Sequence, residues 1–229
     1  MTLRRNICAY ISRLAISLAL LSLTPPAAAQ NREQPVSDDD VPFLNGFSVS
    51  VDLVGPVQML VSDYGQYEAG LRVNLKDKYF PALEVGIGRA DHDDDVTQIS
   101  YKTSAPYFKI GVDFNILKNK HDIYRLFAGA RYAFTSFKYD LSHPGLSDPI
   151  WGNTAEYSAN DVKGSYHWAE ALIGVDVKIW GPVHLGWSLR YRSRLSYSEG
   201  EVGKSWYVPG YGKSDSSAFG GTFNVAIDI

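Results

Sequence analysis

Apolar and polar residues alternate along the chain from Gly46 to Ile229, in segments separated by turn-forming residues. Residues 108–114, for example, place two phenylalanines, an isoleucine and a valine on one face and Lys109, Gly111 and Asp113 on the other. A period of two is typical of β-strands. The pattern predicts eight strands, near 47–53, 67–75, 81–88, 108–115, 124–135, 169–179, 183–195 and 219–229.

The connections between these segments alternate in length. Short connections are 76–78, 116–122 and 181–182; long ones are 55–65, 91–106, 140–163 and 198–217. Short turns at one end and long loops at the other are typical of outer-membrane barrels. We therefore predict an all-β fold over 46–229: one eight-stranded antiparallel up-and-down transmembrane β-barrel with a polar interior.

The apolar face decides between a membrane barrel and a soluble periplasmic barrel, which would turn that face inward. It carries essentially no charge apart from Arg89, at the end of the third segment. Glycines recur on the polar face, at 70, 86, 88, 111, 129, 174, 186 and 220. An eight-stranded barrel is just wide enough inside for side chains, so glycine leaves room there for long charged groups. On a solvent face glycine would only weaken the strands, and the membrane barrel is favoured.

Acidic and basic residues nearly balance on the predicted inner face. Buried charges persist when they are paired, so we expect a salt-bridged, plugged lumen rather than an open channel. The predicted network comprises Asp52, Glu68, Arg72, Glu84, Lys109, Asp113, Arg125, Arg131, Glu170, Asp176, Lys178, Arg190, Arg192 and Arg194. In the alternative, a small-solute or ion pore, Arg190, Arg192 and Arg194 would form a path for anions.

Aromatic residues near the strand ends are expected to face outward and to form the girdles of a membrane barrel. They are Tyr67, Tyr107, Tyr124, Tyr132, Phe134, Tyr191 and Tyr197.

The N-terminal residues predict export. Arg4, Arg5 and Arg13, an apolar stretch and three alanines before Gln30 are typical of a secretory signal, so we assign 1–29 to a cleaved signal peptide and 30–45 to a periplasmic linker. Removing those three arginines leaves 19 basic against 25 acidic residues, a net charge of −6 that argues against a nucleic-acid partner. Cys8, the single cysteine, lies within the signal, so no disulfide is expected.

Four phrases carry a family resemblance: YKTSAPYF at 101–108, DPIWG at 148–152, the run 178–191 and WYVPG at 206–210. Together they resemble an uncharacterised family, a domain of unknown function, of Gram-negative outer-membrane β-barrel proteins. The resemblance extends over nearly all of 41–229. It implies a location in the cell outer membrane and the barrel fold, but no activity and no catalytic residue.

Two weaker chemical hypotheses remain open. Residues 91–95 (DHDDD) supply enough oxygen ligands for calcium but lack the spacing of a known calcium loop, and a solvated acidic tip is favoured. Ser165 and His167, on the outward face near the long-loop end, could serve a lipid acyl hydrolase or transferase, although no acid at a fixed offset completes the set. We predict no enzyme, no metal and no cofactor.

The long loops carry the functional hypothesis. Loops of this length in a compact domain are usually functional or disordered, and the aromatic residues of 140–163 and 198–217 argue against disorder. We expect Trp151, Trp206 and Tyr207 either to bind a partner or to pack into a cap over the barrel. The predicted role is structural, binding or scaffolding, for a monomeric barrel whose partners are outer-membrane lipid, lipopolysaccharide and a protein at the extracellular loops.

Overall fold

Eight long strands form a closed ring in which each pairs with its neighbours in the chain and the first pairs with the last. The computed structural model describes residues 41–147, 154–198, 200 and 203–229. The ring consists of β1 (Leu44–Asp52), β2 (Tyr64–Leu75), β3 (Tyr79–Asp93), β4 (Ser100–Asn115), β5 (Tyr124–Ser147), β6 (Thr154–Trp180), β7 (Val183–Ser198) and β10 (Ser217–Asp228). Between them lie one helix, α1 (Val54–Val61), and a small hairpin of β8 (Tyr207–Val208) and β9 (Gly212–Lys213).

The register of the ring defines the stagger of the barrel. Following paired residues from Ser217 through β7, β6, β5, β4, β3, β2 and β1 leads back to Ile227, ten residues further along the same strand. A stagger of this kind forces the strands to tilt, by roughly 35–45° from the barrel axis. All pairs in the ring are antiparallel, so the expected fold class is confirmed.

Side chains alternate between a polar interior and an apolar exterior. On β4, Phe108, Ile110 and Phe114 are exposed, whereas Lys109 and Asp113 are buried. Six of the seven predicted outward aromatic residues are exposed. Tyr107 is buried, and its outward assignment is wrong because it shares the parity of Lys109, two residues away.

The long connections contain more regular structure than predicted. The predicted loop 91–106 is mostly strand, leaving 94–99 between β3 and β4. The predicted loop 140–163 is instead a continuation of β5 and β6, which pair as far as Ser147 and Thr154. Alternation continues past the predicted strand ends at Thr135 and Ala169, since Tyr139 and Tyr166 are buried inside the barrel, and the two strands remain paired beyond them.

Helix α1 replaces the first predicted loop, 55–65. The carboxylate of Asp52 accepts hydrogen bonds from the amides of Val54 (3.2 Å) and Gly55 (2.9 Å), which satisfies donors at the start of the helix. A Cβ on Gly55 would overlap the Gln66 backbone, so glycine allows α1 to lie directly on β2. In the described part of the chain, no helix has the length and apolar character needed to cross a membrane.

The predicted signal peptide and most of the linker lie outside the described residues. Strand β1 begins at Leu44, two residues before the predicted start of the barrel.

Candidate functional site

A buried cluster of three carboxylates and two cations occupies the middle of the lumen. The Nζ of Lys109 lies 2.8 Å from a Glu68 oxygen and 3.2 Å from a Glu170 oxygen. Arg190 donates to both oxygens of Glu84, at 2.6 and 3.1 Å, and its Nη1 lies 3.3 Å from Glu170. These five residues come from five different strands, so the cluster ties opposite walls of the barrel together.

Two aromatic donors complete the hydrogen bonding of this cluster. The hydroxyl of Tyr107 donates to Glu68 at 2.8 Å, and the indole Nε1 of Trp168 donates to Glu170 at 2.8 Å. Sequence reasoning missed both. Their parity was the available signal, since each lies two residues from an inward charged residue and therefore on the same face.

The ion pairs continue toward the short-turn end, defined by turns 76–78, 116–123 and 181–182. Arg131 lies 3.3 Å from Glu84 and holds Asp113 through two hydrogen bonds of 2.7 and 2.8 Å. Arg72 then lies 3.2 Å from Asp113 and 3.6 Å from Asp176.

His184 links this chain of contacts to the end of β10. Its Nδ1 lies 2.8 Å from Asp176 and its Nε2 lies 2.7 Å from Asp228. We call the connected set the lumen lattice; it comprises Glu68, Arg72, Glu84, Lys109, Asp113, Arg131, Glu170, Asp176, His184, Arg190, Arg192 and Asp228.

Four residues of the predicted network are placed differently. Asp52 is buried, but its contacts are the helix amides and the amide of Phe223 at 3.1 Å. Arg125 lies near the short-turn end, 4.0 Å from Asp77. Lys178 is exposed at the same end, immediately before a register shift in the pairing of β6 with β7.

Arg194, the fourth, is half-buried above the lattice with its guanidinium 4.3 Å from the centre of the Tyr197 ring. These four positions follow the predicted alternation only in part because chain ends, bulges and turns interrupt the regular ladder there.

Residues 203–216 fold into the long-loop end of the lumen, and we call them the cap. Tyr207, Val208 and Tyr211 are fully buried in it. The Tyr207 hydroxyl donates to the Gly65 carbonyl at 3.1 Å, and the Tyr207 carbonyl accepts from Tyr101 at 2.7 Å. Tyr207 is 1% exposed inside the barrel, so its position corresponds to the second of the two alternatives predicted for it, packing into a cap.

The cap rests directly on the lattice. Arg192 Nη1 donates to the Tyr211 carbonyl at 2.6 Å, while its Nε lies 3.2 Å from Glu170. Gly210 has φ +81°, and a Cβ there would overlap the ring of Tyr107. Glycine at this position therefore provides both the left-handed backbone and the close approach.

Trp206 remains at the surface of the cap. It is half-buried and stacks on His92, with ring centres 4.1 Å apart and an interplanar angle of 8°. Trp151, the remaining predicted partner residue, lies outside the described residues.

The residues of the two weaker chemical hypotheses make local contacts. His167 shares a hydrogen bond of 2.8 Å with the Tyr132 hydroxyl and stacks on Phe134. In the acidic loop, Asp91 pairs with Lys102 at 2.9 Å, while Asp94 accepts from the amides of Val96 and Thr97. These amide hydrogen bonds lower the pKa of Asp94. Among the described residues, no group of three or more His, Cys, Asp or Glu side chains is arranged to hold a metal.

The packing in the middle of the lattice leaves little free volume. Two cavities enclosed among its side chains, one beside Arg72 and Phe80 and one beside Glu84 and Arg190, measure about 10 Å³ each. A single water molecule needs roughly 10–15 Å³. In the described part of the lumen these spaces are too small for a solute.

An eight-stranded antiparallel ring with an apolar exterior and a charged interior defines the class of small transmembrane β-barrels. The chain belongs to the family described as Domain of unknown function (DUF6048), whose model matches residues 11–228. The resemblance noted from the sequence is thereby confirmed.

Several solved structures are similar to this chain. Neisserial surface protein A shares 11% identity over 81% of this chain and 99% of its own, with a TM-score of 0.46. A major outer membrane protein from Thermus thermophilus shares 14% identity over 80% of this chain and 98% of its own, with a TM-score of 0.42. The N-terminal β-barrel domain of Pseudomonas aeruginosa OprF shares 11% identity over 81% of this chain and 98% of its own, with a TM-score of 0.40. No curated protein matches the sequence significantly.

Proposed function

We propose that the protein is a non-conducting outer-membrane barrel with a structural or scaffolding role, whose working surface is the long-loop end. The observation that carries the proposal is the continuous lumen lattice, from Arg192 under the cap to Asp228 at the short-turn end. A channel for ions or small solutes needs a continuous aqueous path. The proposal is supported by the contacts of the lattice across the lumen and by the cap at its long-loop end.

Placement in the outer membrane is supported by the exterior. Uncharged apolar side chains cover the outward face of the ring, including Leu83, Ile110, Ile173 and Leu189. A soluble protein rarely exposes so large a contiguous apolar surface. The expected export signal and the family membership agree with this location.

A working surface at the long-loop end is supported by the β5–β6 hairpin and by Trp206. The hairpin extends beyond the rest of the ring, and its outward face is polar there, with Lys138 2.8 Å from Asp161. That pair raises the pKa of Lys138 and lowers the pKa of Asp161, as expected for charges that remain ionised in water. Trp206, and Trp151 of the chain segment that links β5 and β6, are the proposed anchors for a protein partner.

The closed lumen is tested by planar-bilayer recording of the purified monomer. We expect no steady conductance from the natural protein, and openings only when Glu84 and Arg190 are both replaced by Ala. Asp161→Asn, which removes an exposed charge, is the matched control and should stay silent. Steady, sizeable conductance from the natural protein would establish the pore alternative, with Arg190, Arg192 and Arg194 as candidates for the filter.

Location and partner binding need separate measurements. Membrane fractionation should recover the mature protein with the outer membrane; recovery in the soluble periplasm would contradict the placement. Crosslinking in cells should capture a neighbouring protein that is lost on Trp151→Ala or Trp206→Ala. If both variants keep every neighbour while His167→Ala changes the acylation of outer-membrane lipids, the enzyme hypothesis replaces scaffolding.

A further inference from the structure

The barrel wall is incomplete between β10 and β2 near the long-loop end. Strand β1 ends at Asp52, so its pairing with β10 begins only at Asn224 and its pairing with β2 ends at Ala69. Strand β10, however, continues up to Ser217. In the described part of the chain, no strand pairs with the β1-facing edge of β10 above Asn224.

Helix α1 covers only one side of this gap. Gly55 lies against the Gln66 backbone and Gly65 lies against Met59, so the helix is packed tightly on β2. The opening therefore falls between α1 and β10. It is a cleft of about 770 Å³, within the roughly 300–1,000 Å³ of typical ligand pockets.

The cleft is apolar at its mouth and polar at its inner end. Val54 and Val57 of α1, together with Phe219 and Phe223 of β10, line the mouth. Phe219 is 86% exposed, the highest exposure among the aromatic side chains of the ring, because no neighbouring strand covers it. The inner end is lined by Arg192 and Gln66, below the cap, and by Lys213 of the cap itself.

The mouth opens within the apolar band of the exterior. Phe219 pairs with Tyr191 of β7, with ring centres 5.0 Å apart, and both rings point outward. Four residues further along β10, Phe223 pairs with the outward Trp187 of β7. In a membrane-inserted barrel the cleft therefore meets lipid chains rather than water.

Backbone groups of β10 face into the cleft. Phe223 directs its N–H to Asp52 (3.1 Å) and its carbonyl to the Leu53 amide (2.8 Å), so its polar groups point to the β1 side. By the alternation of an antiparallel strand, the N–H and C=O groups of Gly221 and Phe219 point the same way. An open sheet edge facing hydrocarbon is costly unless another group satisfies it.

We propose that this cleft binds one acyl chain of an outer-leaflet lipid, which enters sideways from the membrane. The hydrocarbon lies between α1 and Phe219, and the ester oxygens of the lipid accept hydrogen bonds from the Gly221 and Phe219 amides. Lys213, exposed beside the inner end, faces the anionic part of the head group. This proposal rests on the proposed placement of the barrel in the outer membrane, because the lipid enters the cleft from that membrane.

The test is photo-crosslinking in lipid nanodiscs with a phospholipid that carries a diazirine in one acyl chain. We expect crosslinks per residue in α1 and in 217–223 to exceed those on the outward face around Ile173 by about tenfold, the ratio that about 1.4 kcal/mol of preference produces. Labelling around Ile173 reports insertion alone. Insertion without enrichment at the cleft overturns the lipid site but not the membrane placement, and absence of labelling on both faces overturns both.

Two variants fill the mouth without touching the lattice. Val57→Trp should reduce the enrichment about tenfold, and Gly221→Phe should do the same; a Cβ at 221 meets nothing closer than the Ser188 carbonyl at 3.6 Å. Ile173→Trp is the matched control and should leave it unchanged. Enrichment seen with a diazirine-bearing free fatty acid but not with the phospholipid contradicts the proposed lipid source. Crosslinks from 217–223 to a second protein chain in place of lipid would overturn the site in favour of strand addition.

Discussion

Glu84 contacts three cations of the lumen lattice. It accepts two hydrogen bonds from Arg190, lies 3.3 Å from Arg131 and lies 3.9 Å from Lys109. Burying these cations is tolerable only because each finds a carboxylate within reach. The adjacent glycines create the room; at Gly86, for instance, a Cβ would overlap the Tyr107 ring.

Replacing Glu84 therefore tests the lattice at a single residue. Glu84→Gln removes the charge that Arg190 and Arg131 share, and we expect a loss of about 3–5 kcal/mol in the free energy of unfolding. Urea unfolding followed by tryptophan fluorescence measures it. Asp161→Asn, which breaks the exposed pair with Lys138, should cause no measurable change. Equal effects of the two variants would show that burial of the lattice contributes nothing.

Asp77 makes a separate, pH-dependent contribution at the short-turn end. Burial alone would raise its pKa, but hydrogen bonds from His121, Asn74 and Asn45, with the charge of Arg125, together lower the pKa below 3.8. A carboxyl group whose pKa is lower in the folded state stabilises the fold above its unfolded pKa. That stabilisation disappears as the pH falls through the folded value.

Asp77→Asn should accordingly destabilise the protein near neutral pH and have little effect well below pH 3.8. Asparagine suits the backbone, because Asp77 has φ 55° and asparagine tolerates the left-handed region. Urea midpoints of both proteins across the acid range measure the difference. A gap that stays constant with pH would mean that the charge of Asp77 is irrelevant.

At the scale of elements, alternation predicts the strands well and the insertions poorly. Period two locates β7 and β10 to within three residues, because one face of each strand is apolar and the other is polar. The sequence pattern does not predict helix α1. The start of the helix is fixed by Asp52, and the position of Asp52 in the alternation assigns it to the charged lumen network instead. The sequence leaves the cap as one of two alternatives, because Tyr207 and Tyr211 gain their burial from Tyr101, Gly65 and Arg192, more than a hundred residues away in the first two cases.

Tyr207 anchors the cap, and its removal should loosen that element before the barrel. Tyr207→Ala deletes a buried ring and its hydrogen bond to Gly65, a change that costs about 3 kcal/mol or more. We expect trypsin to cleave after Lys204 and Lys213 much faster than in the natural protein. Tyr157→Ala, on the exposed face of the β5–β6 hairpin, is the control. Unchanged cleavage would show that the cap is held by other contacts.

For the whole molecule, one constraint links the exterior and the interior. Closure of the ring with its stagger of ten residues determines which side chains lie at the same height along the barrel axis; we call each such height a level. Outward positions at the middle levels are apolar, whereas Arg89 and Lys138 lie toward the long-loop end. The same levels contain the lumen lattice inside, so charge is confined to the interior wherever lipid is expected outside.

This arrangement is tested by placing an arginine on the outward face at two different depths and comparing the loss in the free energy of unfolding. Ile110 and Leu195 are both 59% exposed, but Ile110 lies between the outward rings of Phe108 and Phe114, while Leu195 lies beyond Tyr191 near the end of β7. If lipid surrounds the ring, Ile110→Arg should cost about 2–4 kcal/mol and Leu195→Arg about 0–1 kcal/mol. Urea unfolding in lipid vesicles measures both. A barrel surrounded by water would tolerate the two substitutions equally, because both side chains would then be exposed to water to the same extent.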